Sequence, residues 1–196
     1  MKTINYLAFK KSLEKTGKTF FNLNDLKKFY SGNIGSLKVL LSKWTKRGMI
    51  FKLGRGYYTF NLAAVDYLHL ATMFDNSSYI SFEYALFYYN LIDQAPSVIT
   101  LATKKRSRKI EMANWTFEYS RLRDDLFFGY ELKNKIYIAS QEKALADLIY
   151  LISRGKRLVE LDALDIAKIN KTKLNSILKK FPGYTAEKAK ELIKKI

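Results

Sequence analysis

The chain has 196 residues, which is enough for one large domain or two small ones. Its 35 Lys and Arg residues against 18 Asp and Glu residues give a formal charge of +17, which predicts an anionic partner. A hydrophobic fraction of 48% excludes a disordered chain, and the lack of Cys excludes disulfides, thiolate metal sites and cysteine nucleophiles.

The first sixty residues have the pattern of a winged helix-turn-helix, and we assign residues 1–61 to this domain. Apolar spacing predicts a first helix over Thr3–Lys15. Asn22 can cap a second helix over Leu23–Phe29, and a third follows over Ile34–Arg47. The β-rich runs on either side of Gly54-Arg55-Gly56 predict a hairpin with a basic tip.

The third helix has one apolar stripe and one polar side. The stripe runs from Ile34 through Leu37, Leu40 and Leu41 to Trp44 and is expected to face the core. In a winged helix the third helix enters the major groove of DNA, unless the domain serves only to dock another protein. The residues predicted to contact DNA are Asn33, Ser36, Lys38, Ser42, Lys43, Lys46, Arg47 and Arg55.

We assign residues 62–196 to a second domain of the α+β class, with a small, mostly antiparallel sheet and C-terminal helices. A buried strand is predicted over Val98–Ala102. The expected antiparallel pairs are Lys109–Ala113 with Phe117–Leu122 and Phe127–Leu132 with Lys135–Ala139. The expected helices are Ala63–Phe74, Gln141–Leu151 (capped by Ser140), Asp162–Ile169, Lys171–Lys180 and Thr185–Ile196.

Charge is unevenly distributed along the chain. Residues 1–66 hold 13 basic and 3 acidic side chains, residues 67–152 hold 10 of each, and residues 153–196 hold 12 and 5. The basic ends and neutral middle predict at least two functional surfaces.

Beyond the winged helix, the candidate partner-binding residues are Lys104, Lys105, Arg106, Arg108, Lys171, Lys173, Lys179 and Lys180. The alternative for both groups is a solvated, solubilising surface. Arg154, Lys156 and Arg157 would extend the C-terminal group if their loop folds toward it.

Several segments of the second domain resemble the AbiEi-type antitoxins. They are Ser78-Tyr79-Ile80-Ser81-Phe82-Glu83-Tyr84-Ala85-Leu86, Tyr89-Asn90-Leu91-Ile92, Val98-Ile99-Thr100-Leu101-Ala102-Thr103, Phe128-Gly129-Tyr130, and the run from Ile138 to Leu151. With the winged helix in front, the resemblance spans roughly residues 20–152. The sequence departs from the family pattern at Gln141, where Pro is frequent, and at Asn90, where Gly is frequent.

The resemblance implies a bacterial abortive-infection antitoxin of a type IV toxin–antitoxin system. Such a protein represses its own operon by binding inverted-repeat double-stranded DNA through the winged helix, where a homodimer would fit. Its C-terminal domain counteracts a nucleotidyltransferase-like toxin, with or without direct contact. We expect no enzymatic activity, no cofactor and no metal, because the sequence has no Cys, a single His and no Gly-rich phosphate loop.

Two other functions fit the residues. One is a winged-helix transcription factor whose C-terminal domain senses a ligand or dimerises. The other is a metal-dependent nuclease, because Asp124 and Asp125 followed by Glu131 and Lys133 offer carboxylates for Mg²⁺ and a cation for the phosphate. The remaining carboxylates of note, Glu83 and Asp147, are expected to be surface or capping groups, and His69, the only His, to be non-functional.

The sequence also predicts the compartment. No apolar stretch approaches the roughly 18 residues that a membrane helix needs. Lys10 and Lys11 interrupt the apolar N-terminal segment, so no signal peptide is expected. We therefore expect a cytoplasmic bacterial protein with no membrane partner.

Overall fold

The structure is a computed structural model that describes residues 5–54, 56–112, 115–158 and 164–193. The chain folds as two compact units, Met1–Leu70 and Ala71–Ile196. Their boundary falls within a helix at Tyr67–Phe74, whereas the sequence suggested a boundary after residue 61. Helices and strands are both abundant, so the chain belongs to the α+β class as predicted.

The first unit combines helices with a three-stranded antiparallel sheet of order β1-β3-β2. Its core buries Leu13, Leu26, Leu37 and Leu41 completely. The elements in chain order are α1 (Tyr6–Glu14), β1 (Phe21–Asn22), α2 (Leu23–Lys28), α3 (Ile34–Lys46), β2 (Phe51–Gly54) and β3 (Tyr57–Thr59).

Side-chain caps define where these helices begin. The Asn22 side chain accepts a hydrogen bond from the Asp25 backbone N–H, while Asp25 accepts one from the Asn22 N–H, so the two form a capping box. Helix α1 begins at Tyr6 after an Asn5 cap, later than the predicted start at Thr3. The predicted inward position of Ile34 is wrong: its side chain is 42% exposed, because it begins α3 before the stripe reaches the core.

The second unit is built on a six-stranded sheet of order β6-β7-β5-β4-β9-β8. The strand at Ile99–Thr103 lies inside this sheet and is buried along its whole length, as predicted. From the helix that contains the unit boundary onward, the elements in chain order are α4 (Tyr67–Phe74), β4 (Ser78–Ile80), α5 (Phe82–Tyr88), β5 (Ile99–Thr103), β6 (Arg108–Met112), β7 (Trp115–Arg121), β8 (Tyr130–Lys133), β9 (Ile136–Ala139), α6 (Gln141–Ser153), α7 (Lys171–Leu178) and α8 (Gly183–Ile193).

The sheet is mixed, with a larger parallel share than we expected. The predicted hairpins β6–β7 and β8–β9 are present and antiparallel, and β4 also pairs antiparallel with β5. However, β5 pairs with β7 and β4 pairs with β9 in parallel. The parallel pairs join segments separated by intervening hairpins or helices, and local sequence patterns carry no signal for such pairing.

Helix α6 is the central helix of the second unit and packs against α5, α7 and α8. The Ser140 hydroxyl caps it by accepting a hydrogen bond from the Lys143 backbone N–H, as predicted. Two other helix predictions were too long. Residues 62–64 form a 3₁₀ turn ahead of α4, and residues 166–168 form another, while 159–163 lie outside the described residues.

Candidate nucleic-acid interface

Helix α3 presents a row of polar and cationic side chains to solvent. Leu37, Leu41 and Trp44 are buried on its inner side, which fixes the rotation of the helix. The exposed side chains are Lys38, Ser42, Lys43, Lys46 and the C-cap residue Arg47. No ion pair within the described residues involves the three lysines. Their ammonium groups are therefore available to an anionic partner.

Two of the predicted DNA-contacting residues have a structural role at the start of α3. The Asn33 side-chain oxygen accepts a hydrogen bond from the Ser36 N–H at 2.8 Å. The Ser36 hydroxyl donates to the Asn33 carbonyl and accepts from the Tyr30 hydroxyl, both at 2.9 Å. These contacts make Ser36 half-buried and occupy its hydroxyl, so it is poorly placed to read a base edge.

The β2–β3 hairpin follows α3, as predicted. Its tip residue Arg55 lies outside the described residues. Lys52 is exposed on β2, opposite Tyr58 of β3, and adds a cation that sequence reasoning missed. The sequence signal for it is that a polar residue, Lys52, stands directly before an apolar one, Leu53, in a predicted strand, so the two side chains point to opposite faces.

In the second unit, the basic loop after β5 is partly neutralised from within. The carboxylate of Asp75 is buried and forms two ion pairs, with the Lys105 ammonium at 2.9 Å and with the Arg108 guanidinium at 2.7 Å. Burial by itself raises the pKa of Asp75, but hydrogen bonds from Arg108, Ser77, Thr103 and Lys105 outweigh it and hold the pKa well below its usual range.

Arg108 is therefore not a freely solvated cation, contrary to the prediction for this loop. Its guanidinium lies 4.3 Å from the centre of the Tyr119 ring and is about three-quarters buried, at 23% side-chain exposure. Lys104 and Arg106 remain exposed. The Lys104 ammonium lies 5.0 Å from the centre of the Phe127 ring.

The four lysines predicted on α7 and just after it are all exposed, but they differ in their contacts. Lys173 forms an ion pair at 2.8 Å with Glu142, a buried carboxylate at the start of α6. The Lys180 ammonium lies 4.6 Å from the centre of the Phe128 ring. Lys171 and Lys179 instead line a groove of about 650 Å³ between α7 and α8, together with Lys190 and the apolar residues Leu174, Leu178 and Ala189.

Arg157 does not extend the basic surface, because it is turned inward. Its guanidinium contacts Glu83 at 3.3 Å and Glu118 at 2.9 Å, and all three side chains are more than four-fifths buried. Burial raises the pKa of Glu83 above its usual value, against the opposing effect of Arg157. Glu83 is therefore not a surface group, although it does lie in the first turn of α5, where a capping carboxylate would stand.

Asp147 is also not a surface group. It lies one turn after Lys143 on α6, the two form an ion pair, and both side chains have zero exposure. Asp147 accepts hydrogen bonds from the Tyr79 hydroxyl at 2.9 Å and the Ser81 hydroxyl at 2.8 Å. Burial raises the pKa of Asp147 and lowers that of Lys143, while each charge opposes the shift of the other.

The residues proposed for a nuclease are not brought together as a metal site. Asp125 forms an ion pair with Arg123, and Glu131 lies on β8. The Lys133 ammonium lies over the Tyr88 and Tyr89 rings. Across the described residues, no group of three or more His, Asp or Glu side chains is arranged to hold a metal ion.

Comparison with known proteins finds a similarity in fold. No protein-family model and no curated protein sequence matches the chain. The fold is similar to the crystal structure of the RV2827C protein from Mycobacterium tuberculosis, with a TM-score of 0.68 and 12% sequence identity. The similarity covers 99% of this chain and 78% of that chain, and at this identity it extends to the fold alone. Among the described residues, no helix is long and apolar enough to cross a membrane.

Proposed function

We propose that the first unit is a winged helix-turn-helix that binds double-stranded DNA through α3. The observation that carries this proposal is the exposed row Lys38, Ser42, Lys43 and Lys46, opposite the buried stripe of the same helix. The helix is followed by a two-stranded hairpin, the element order of a winged helix. Lys43 and Lys46 contact phosphates, while Lys38 and Ser42 face base edges.

We further propose that the whole chain is an antitoxin of the AbiEi type, acting in the cytoplasm of a bacterium. The support is the resemblance of residues 20–152 to that family together with the basic first unit. In this proposal two chains occupy an inverted repeat in their own promoter and repress it. The second unit counteracts a nucleotidyltransferase-like toxin encoded beside it.

The DNA-binding proposal is tested with the full chain and a DNA fragment from its own promoter. Lys43→Ala with Lys46→Ala removes two phosphate contacts per chain, so the affinity falls and the slope of log K against log salt becomes shallower by about 1.8 for each chain bound. Lys11→Ala, at an exposed lysine of α1, is the control and retains the parent slope. Equal slopes for the double variant and the parent would disprove the assignment of α3.

The antitoxin proposal is tested by co-expressing the chain with the gene beside its own. The parent chain restores growth when the neighbouring gene product arrests it. The Lys43→Ala, Lys46→Ala variant also restores growth but no longer represses a promoter reporter, because repression and neutralisation reside in different units. DNA binding without growth rescue would favour the alternative, a transcription factor whose second unit senses a ligand or dimerises.

A further inference from the structure

A small cavity beside the β8–β9 hairpin is lined by aromatic rings and polar groups. Its volume is about 300 Å³, at the lower end of the range for small-molecule sites. The residues that matter for its chemistry are Asn76, Ser77, Lys104, Phe127, Tyr130 and Tyr137. All of them belong to the second unit, whereas α3 belongs to the first.

The rings in this cavity form an ordered series that ends at the surface. Tyr79 is fully buried, and Tyr130 stacks on it with ring centres 4.5 Å apart and planes 11° apart. Phe127 packs edge-on against both. Tyr137 lies edge-on to Tyr130 at 6.0 Å and is 43% exposed. The exposed ring is therefore held by a rigid aromatic base rather than by a mobile loop.

The polar groups around the cavity include a positive charge and an unused amide. Lys104 is exposed beside the Phe127 ring, and no ion pair within the described residues neutralises it. The Asn76 side chain is exposed, and its amide takes part in no hydrogen bond within the described chain. The Ser77 hydroxyl, by contrast, already donates to Asp75 at 2.7 Å.

We propose that this cavity binds a single nucleotide. The base stacks on the Tyr137 ring, the Asn76 amide hydrogen-bonds the base edge, and the Lys104 ammonium contacts the phosphate. Stacking on an aromatic ring suits every base, because each has a flat π face, and a nearby cation suits the phosphate. The nucleotide is either a free mononucleotide or one unit of a single-stranded RNA.

The test uses the full chain and two probes. AMP binding is measured by titration calorimetry, and binding of a fluorescein-labelled eight-nucleotide oligoadenylate RNA by anisotropy. Tyr137→Leu keeps an apolar side chain but removes the π face, so the affinity falls about tenfold, whereas Tyr137→Phe keeps the parent affinity. Lys104→Gln also weakens binding and makes the salt slope for RNA shallower by about 0.7.

Two matched controls separate this cavity from the rest of the surface. Tyr184→Leu alters another exposed tyrosine, and Lys11→Gln alters another exposed lysine, so both variants bind like the parent. Thermal unfolding checks that each variant is folded. Binding of AMP alone assigns the site to free nucleotides, and binding of the RNA alone assigns it to a strand.

The proposal is overturned if the parent binds neither probe. It is equally overturned if Tyr137→Leu binds as tightly as Tyr137→Phe. Affinity for double-stranded promoter DNA, measured in parallel, is unchanged by Tyr137→Leu. A failure here therefore leaves the α3 proposal standing, and a failure of that proposal leaves this one standing.

Discussion

Lys143 and Asp147 form an ion pair within α6 that has no exposure to solvent on either side chain. The Lys143 ammonium also donates to the Tyr79 hydroxyl at 2.9 Å and lies 4.9 Å from the centre of the Phe128 ring. Burying two charges costs a large desolvation free energy, and only good pair geometry and further hydrogen bonds offset that cost. The pair therefore fixes where α6 sits against β4 rather than adding much net stability.

We expect single substitutions in this pair to be strongly destabilising. Lys143→Met leaves the buried Asp147 without its cation, and Asp147→Asn leaves the buried ammonium without its anion, so each lowers the free energy of unfolding by about 3 kcal/mol or more. The loss of unfolding free energy in the double variant is smaller than the sum of the two single losses, by about 2 kcal/mol. Urea unfolding of the four proteins measures this coupling. Strict additivity would show that the charges do not interact.

Gly129 gives an independent probe of the space around Lys143. Its φ is +70°, and a Cβ there would lie 3.1 Å from the Lys143 Cγ. Gly155 has a similar φ of +64° but open space around it. Gly155→Ala therefore costs only the backbone strain of about 1–2 kcal/mol, while Gly129→Ala costs more because Lys143 must also shift. Equal losses in urea unfolding would mean that the Lys143 side chain is loosely held.

The stability supplied by Asp75 depends on pH in a defined direction. Because the pKa of Asp75 is lowered in the folded chain, its contribution is complete above the unfolded value of about 3.9 and is lost as the pH falls toward the folded value. Asp75→Asn leaves Arg108 without its anion and costs about 3 kcal/mol at pH 7. The difference from the parent stays constant down to about pH 5 and shrinks below about pH 4.

Urea unfolding at pH 7, 5 and 3 measures that difference. Lys105→Ala provides the contrast, since the Lys105 side chain is 61% exposed and its ion pair contributes less than about 1 kcal/mol. A difference between parent and Asp75→Asn that is as large at pH 3 as at pH 7 would contradict the lowered pKa.

For the C-terminal lysines, we expect charge reversal to act through Lys171 and Lys179. Both line the groove between α7 and α8, so Lys171→Glu with Lys179→Glu impairs neutralisation of the toxin if an acidic partner binds there. Lys173 is left unchanged because its reversal would place two carboxylates together at Glu142. Growth rescue is the measurement, and Lys11→Glu with Lys135→Glu, at two exposed lysines that do not line this groove, is the control of equal charge. Full rescue by the groove variant would leave these lysines as a solvated surface.

Local signals were sufficient to predict several elements of both units. Asn22 and Ser140 were recognised as caps because a short polar side chain before an apolar run can satisfy the first backbone N–H groups of a helix. The β2–β3 hairpin was predicted from Gly on either side of Arg55. Strand β1 was missed, because its two residues are too few to show a period.

The buried charges could not be predicted from the sequence. A Lys and an Asp four residues apart on a helix are usually a surface pair, and the sequence predicts Asp147 to be a surface or capping group. Its burial depends on Tyr79 and Ser81, which are more than sixty residues away in sequence. The same holds for Arg157, whose partners Glu83 and Glu118 come from other elements.

Strand β8 is one of the two edge strands of its sheet, and all four of its residues are exposed. An uncovered strand edge invites a strand from another molecule, the first step toward fibrils. Here the edge is only four residues long, Glu131 and Lys133 alternate with Tyr130 and Leu132, and a tight turn follows. Neutralising Glu131 and Lys133 together would leave a fully uncharged strand, and the protein would then aggregate at concentrations where the parent stays dispersed.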